Sequence, residues 1–77
     1  MKINLEYQKF IKIEDYASGS SIEVPEGCTV RDLLVQLKLP VYLQKALVVF
    51  VNRQPVWNAT LLKENDAVRL MRVLSGG

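Results

Sequence analysis

The segment TVRDLLVQL at residues 29–37 decides the fold class, because its apolar side chains recur at helical spacing. Those side chains are Val30, Leu33, Leu34 and Leu37. Thr29 precedes them as a suitable N-cap, and Asp32 stands three residues later, where its carboxylate can complete a capping box. Pro40 cannot continue a helix. The segment therefore predicts one helix over residues 30–37, with a single apolar stripe to bury.

The residues before this helix predict two strands. Residues 2–8 alternate between apolar and polar side chains, which is the period of a half-buried strand, and Phe10 and Ile11 are candidates to prolong it. The stretch 15–20 is rich in turn-forming residues and interrupts the pattern. A short second strand over residues 21–24 follows, and a Pro-Glu-Gly turn ends it.

The residues after the helix predict a hairpin. Residues 48–51 are a continuous apolar run of strand length, which is typical of a central strand buried on both faces. Asn52-Arg53 comes next, and Asn tolerates the left-handed conformation that a tight turn requires. The returning strand covers residues 55–57, and Pro55 predicts that this strand lies at a sheet edge.

The last turn and strand complete an α+β fold. Asn65-Asp66 predicts a turn, and residues 68–73 predict a final strand. The order strand, strand, helix, strand, strand, strand is that of a ubiquitin-like β-grasp, with a mixed sheet of about five strands packed on one main helix. We expect a single domain over residues 1–74 and a flexible tail over residues 75–77.

Composition excludes several classes of function. The 77-residue chain has no histidine and one cysteine, Cys28, so side chains that titrate near neutrality or bind soft metals are nearly absent. We therefore expect a protein that is not an enzyme and holds no metal or cofactor. A net charge of +2 without basic clusters argues against nucleic-acid binding, and no apolar run approaches bilayer length. These features favour a cytoplasmic protein without a membrane partner.

The C-terminus carries the remaining chemistry. A strongly β-forming segment delivers Ser75-Gly76-Gly77 and stops. Glycine lacks Cβ, so such a tail can thread into a narrow channel and leave its carboxylate as the only reactive group. A carboxylate is inert until it is activated. Adenylation by ATP would make it an electrophile that a sulfur nucleophile can attack.

Four segments resemble the ThiS/MoaD family of sulfur carriers. They are PEGCTVRDLL at 25–34, VFVN at 49–52, NDAVRL at 65–70 and the terminal Ser75-Gly76-Gly77. The resemblance covers nearly the whole chain. It implies that an E1-like enzyme adenylates Gly77 with Mg-ATP, and that the terminus becomes a thiocarboxylate. The sulfur would pass from a sulfur donor through this carrier to thiamine-thiazole or to molybdopterin synthesis, with thiazole synthase or the large subunit of molybdopterin synthase as the acceptor.

The same resemblance implies a binding surface for these partners. It consists of the sheet face away from the helix together with the tail. The residues that it points to are Ser75, Arg72, Met71, Arg69 and Pro55, beside the terminal Gly76 and Gly77.

Alternatives remain open at this stage. An activated Gly77 would also suit a protein modifier joined to lysines of other proteins, and the fold would suit a docking module with an incidental tail. Cys28 precedes a helix N-terminus, which can make a thiol reactive, although a free cysteine is more often a small buried hydrophobe. Trp57 and Tyr42 are candidates for a pocket, although packing in the core or at an edge is the commoner role.

Overall fold

The structure, a computed structural model, describes residues 1–72. Its elements in chain order are β1 (Lys2–Tyr7), β2 (Ser20–Glu23), α1 (Val30–Gln36), α2 (Val41–Ala46), β3 (Leu47–Val51), β4 (Gln54–Val56) and β5 (Ala67–Arg72). All the predicted elements are present, each shifted by one or two residues at most. The short helix α2 was not predicted. The prediction that Pro40 ends the first helix was wrong. α1 ends at Gln36, and Pro40 is the N-cap of α2.

The five strands form one mixed sheet in the order β2-β1-β5-β3-β4. β1 and β5 are parallel, and the other three neighbouring pairs are antiparallel. The central strand is therefore β5, the last element of the described chain. The prediction that residues 48–51 form a central strand is confirmed, because β3 lies between β5 and β4, but the expected burial on both faces was wrong, because only Val49 is buried in it.

The core lies between one face of the sheet and α1. The fully buried side chains of the sheet alternate along β1 and β5, and those of the helix form the predicted stripe. The largest are Ile3, Leu5, Val68 and Leu70 from the sheet, and Val30, Leu33 and Leu34 from α1. Burying such side chains is the main source of stability in a domain of this size.

The capping box of α1 is formed as predicted. The Asp32 backbone N–H donates to Thr29 Oγ1 at 3.1 Å, and the Thr29 backbone N–H donates to Asp32 Oδ2 at 3.1 Å. Two more N–H groups of the first turn, those of Val30 and Arg31, donate to the backbone carbonyls of Thr60 and Asn58 at 3.0 Å. The helix N-terminus is thus satisfied both locally and by the segment that follows β4.

The hairpin from β3 to β4 turns at Asn52-Arg53, as predicted. Both residues have positive φ, 52° and 71°, which is the pattern of a type I′ turn. Pairing of Val51 with Gln54 closes the turn, so Pro55 opposite Phe50 occupies the position whose N–H would point away from the sheet. Proline has no N–H, so β4 fits the edge position that the sequence predicted for it.

The loop between β1 and β2 is packed rather than open. Ile11 and Ile13 are buried in the core, whereas Phe10 is 57% exposed. The chain turns at Gln8, whose carbonyl accepts from the Ile11 N–H at 3.0 Å. Phe10 and Ile11 therefore do not prolong β1.

Candidate functional site

The face of the sheet opposite α1, called the outer face below, is the candidate site. Along β5 the buried Val68 and Leu70 point to the core, so Ala67, Arg69 and Met71 point to the outer face. No helix of the described residues covers this face, and three of the five residues that the sequence singled out around it lie there. They are Arg69, Met71 and Pro55.

Strand register arranges the outer face in rows that cross the sheet. In one row Arg69 stands between Glu6 of β1 and Phe50 of β3, and Phe50 in turn pairs with Pro55. In the row nearer the end of β5, Met71 pairs with Val48. Neighbours in such rows have Cβ atoms about 5 Å apart, so their side chains form one continuous surface.

This surface mixes apolar and charged side chains, and Glu6 lines it beside two arginines. Val48, Phe50 and Met71 are half-buried, and the guanidinium groups of Arg53 and Arg69 flank them. A shallow groove of about 480 Å³ runs between Phe50, Arg69 and Met71. It is open along its length, which suits contact with another protein better than enclosure of a small ligand.

Arg72 is placed differently from the other predicted contacts. Strand alternation puts it on the same side as Val68 and Leu70, although it is exposed because the core does not extend to the end of β5. The expectation that Arg72 shares the outer face was therefore wrong. Residues 69 and 71 are two positions apart and share a face of the strand, whereas residue 72 lies on the opposite face. The sequence-based prediction did not apply this alternation.

Trp57 is the functional candidate that sequence reasoning assigned to packing. Its side chain is 86% exposed, and it lines a second shallow groove with Val48 and Pro55 beside the outer face. Tyr42, on α2, is 77% exposed. The packing role expected for these two aromatics was wrong. Trp57 follows directly after β4, two residues beyond Pro55, where the edge strand has ended.

Cys28 is a buried side chain with 3% exposure. Its Sγ donates to the Thr29 carbonyl at 3.3 Å. Burial raises the pKa of the Cys28 thiol, and the Asp32 carboxylate raises it further. A thiol kept protonated in this way is a poor nucleophile, so the interpretation of Cys28 as a small buried hydrophobe is confirmed.

The terminal residues Ser75, Gly76 and Gly77 lie outside the described residues. Within residues 1–72, no group of three histidine, cysteine or acidic side chains is placed to hold a metal ion. The same part of the chain contains no helix that is long and apolar enough to span a membrane.

The mixed sheet with α1 packed across one face defines the chain as a ubiquitin-like β-grasp protein. The model of the ThiS family matches residues 1–77, and the chain belongs to that family. Both the fold and the family that the sequence suggested are thereby confirmed. A search of curated proteins returned no significant match.

Solved structures share this fold at low sequence identity. A protein described as subunit 1 of a molybdopterin converting factor from Pyrococcus furiosus has a TM-score of 0.71 and 24% identity, with 95% of this chain and 98% of that chain covered. SAMP1 from Haloferax volcanii has a TM-score of 0.65 and 17% identity over all of both chains. A structure described as the complex of subunits 1 and 2 of the Helicobacter pylori molybdopterin-converting factor has a TM-score of 0.63 and 20% identity, again over all of both chains.

Proposed function

We propose that the chain is a cytoplasmic sulfur carrier whose Gly77 carboxylate is adenylated by an E1-like enzyme and converted to a thiocarboxylate. The observation that carries the proposal is a ThiS-family match that runs through the terminal Gly76-Gly77. The described chain ends on β5, the middle strand of the sheet.

The chemistry belongs to the partner enzyme, which supplies Mg-ATP. The carboxylate oxygen of Gly77 attacks the α-phosphorus of ATP, and pyrophosphate leaves. A hydrosulfide-class nucleophile then attacks the carbonyl carbon of the acyl-adenylate, and AMP leaves with one of the original carboxylate oxygens. The carrier contributes a free carboxylate and a surface that docks on the enzyme. Docking holds the carboxylate close to the bound ATP, which favours the reaction by proximity.

The outer face supports the docking part of this proposal. It carries the half-buried Phe50 and Met71 beside Arg53 and Arg69. Apolar side chains at the centre and arginine at the border are common in protein interfaces. An acidic border on the activating enzyme would complement the two guanidinium groups.

The sulfur acceptor would be thiazole synthase or the large subunit of molybdopterin synthase. The Helicobacter pylori structure is described as a complex of subunits 1 and 2 of the molybdopterin-converting factor. That neighbour supports the second acceptor class for this chain.

Mass spectrometry tests the proposal directly. The purified chain is incubated with an E1-like enzyme of the same organism, Mg-ATP and sodium sulfide, and its intact mass is measured. Replacement of one carboxylate oxygen by sulfur adds about 16 Da. A variant that lacks Gly76-Gly77 is the matched control and should gain nothing.

Two other outcomes would contradict the proposal. Recovery of unmodified chain alone would exclude thiocarboxylate formation with that enzyme. ATP-dependent conjugates of higher mass in lysate, with no thiocarboxylate, would identify a protein modifier instead.

A further inference from the structure

Regular pairing between β1 and β5 ends at Tyr7 and Leu70, two residues before the last residue of β5. The Asn4 N–H donates to the Asp66 carbonyl at 2.9 Å, and the register pairs Asn4 with Ala67. In a parallel ladder of this phase, the Arg72 N–H would donate to the backbone carbonyl of Gln8. Instead, that carbonyl accepts from the Ile11 N–H in the turn that ends β1.

The side-chain amide of Gln8, rather than its backbone carbonyl, accepts the hydrogen bond from the Arg72 N–H. The Arg72 N–H donates to Gln8 Oε1 at 2.8 Å, across 64 positions of sequence. On the other side of β5, the same alternation makes Arg72 and Leu47 a pair without mutual hydrogen bonds. The Gln8 amide is thus the group that ties the Arg72 N–H to the body of the protein.

Gln8 is itself held on both sides. Immediately before it, the Tyr7 N–H donates to Ser18 Oγ at 3.0 Å, and Ser18 Oγ donates to the Tyr7 carbonyl at 3.2 Å. After it, the turn leads to Ile11, which is 3% exposed in the core. The amide therefore approaches Arg72 from a fixed backbone rather than from a free loop.

We infer that Gln8 is a positioning residue that fixes the backbone direction at Arg72 and so presents the C-terminus to the activating enzyme. The inference rests on the proposed function for its consequence, and on the hydrogen bond alone for its structural part. An enzyme that binds a terminus with one residue already ordered avoids the entropic cost of ordering that residue.

Two variants and one control test this role. Gln8→Ala removes the acceptor, whereas Gln8→Glu keeps an acceptor oxygen at the same reach. Gln54→Ala removes a glutamine side chain from the exposed edge strand β4 and serves as the control. Thermal unfolding of all three establishes that each variant is folded.

Amide hydrogen exchange measures the structural part. In Gln8→Ala we expect the protection of the Arg72 N–H to fall about tenfold, while that of Leu70 is unchanged. Gln8→Glu should restore the protection, and Gln54→Ala should leave it as in the wild type. Unchanged Arg72 protection in Gln8→Ala would overturn the inference.

Adenylation kinetics measure the consequence. With the carrier as the varied substrate in ATP–pyrophosphate exchange, Gln8→Ala should raise KM about fivefold and leave kcat unchanged, because the carboxylate itself is unaltered. Loss of Arg72 protection without a rise in KM would also overturn the inference. A wild-type chain that is never adenylated would instead refute the proposed function, and the exchange measurement would still decide whether Gln8 holds Arg72.

Discussion

The two ends of β5 are both completed by a side-chain amide, but the surroundings of the two amides differ. At the start, Asn52 Oδ1 accepts from the Ala67 N–H at 3.0 Å, and Asn52 Nδ2 donates to Asp66 Oδ1 at 2.9 Å. At the finish, Gln8 Oε1 accepts from the Arg72 N–H. Both strand-end bonds are exposed, but Asn52 is also bonded to Asp66, which is buried and accepts from the Lys63 N–H. Among residues 1–72, the Gln8 side chain makes only the bond to Arg72.

This difference suggests that the two ends of β5 have different roles. The start would stabilise the fold, and the finish would present the C-terminus to the activating enzyme. The start of β5 is tied into the turn at Asn52 and into β1, so changes there should alter the free energy of unfolding. The finish carries the outer-face residue Met71 and leads to the terminus, so changes there should alter activation while the fold persists. Two predictions test the separation, and a third, with the smallest expected effect, provides a reference away from β5.

The largest effect is expected for Asp66→Ala. The Asp66 carboxylate accepts from Asn52 Nδ2 at 2.9 Å and from the Lys63 N–H at 2.8 Å, and hydrogen bonds to a charged group are among the stronger ones. We expect the free energy of unfolding to fall by about 2 kcal/mol, measured by urea denaturation.

Asp15→Ala is the matched control for that prediction. The Asp15 carboxylate lies 3.6 Å from Lys38 Nζ in an exposed ion pair. Such pairs contribute little, so the free energy of unfolding should change by less than about 0.5 kcal/mol. Equal losses for the two variants would contradict the special role of the start of β5.

An intermediate effect is expected for Met71→Glu at the other end of the strand. A carboxylate on the outer face would have to be desolvated when an enzyme docks there. We expect KM for the carrier in the adenylation assay to rise about tenfold, which is about 1.4 kcal/mol of binding. Urea denaturation should show little change, because Met71 does not point to the core.

Val35→Glu supplies the control for Met71→Glu. Val35 is 61% exposed on α1, at the opposite side of the molecule. The substitution makes the same chemical change where no docking is proposed, so KM should remain that of the wild type. A similar rise in KM for both variants would show that the outer face is not the docking surface for the activating enzyme.

The smallest effect is expected away from β5, at the cap of α1. The hydrogen bond from the Thr29 backbone lowers the pKa of the Asp32 carboxyl below its ordinary value of 3.8, and the Thr29 side chain lowers it further. A carboxyl with a lowered pKa in the folded state stabilises that state above its unfolded pKa, and the contribution is lost as pH falls through the folded pKa. The cap should therefore persist at neutral pH and loosen only in acid.

An NMR titration of the Asp32 carboxyl carbon measures that pKa. A midpoint below 3.8 is expected, and the stability difference between the wild type and Asp32→Asn should shrink as pH falls through this midpoint. A midpoint at or above 3.8 would show that the capping box is not formed in solution. Because the group is exposed, the effect on the free energy of unfolding should be smaller than that of Asp66→Ala.

Local features of the fold were predictable from the sequence. The cap at Thr29, the stripe on α1 and the turn at Asn52-Arg53 each depend on residues a few positions apart, so local spacing is sufficient to predict them. The helix α2 was not predicted, because its six residues lie beside an apolar run that is typical of a strand. Pro40 is compatible both with the end of one helix and with the start of the next.

Long-range features were not predictable in the same way. The central position of β5 depends on pairing with β1 across more than 60 residues, which periodicity does not encode. The role of Gln8 depends on the same pairing. The exposure of Trp57 was not predictable, because hydrophobicity alone does not show whether a residue just beyond an edge strand is covered by the rest of the fold.

Pro55 has a consequence for how copies of this chain coexist. An open sheet border with free N–H groups invites another chain to add a strand, and repeated addition leads to fibrils. At β4 the outward position holds proline, so a second molecule finds no donor at the middle of that border. Addition of a second copy of the chain at the β4 border is thereby disfavoured.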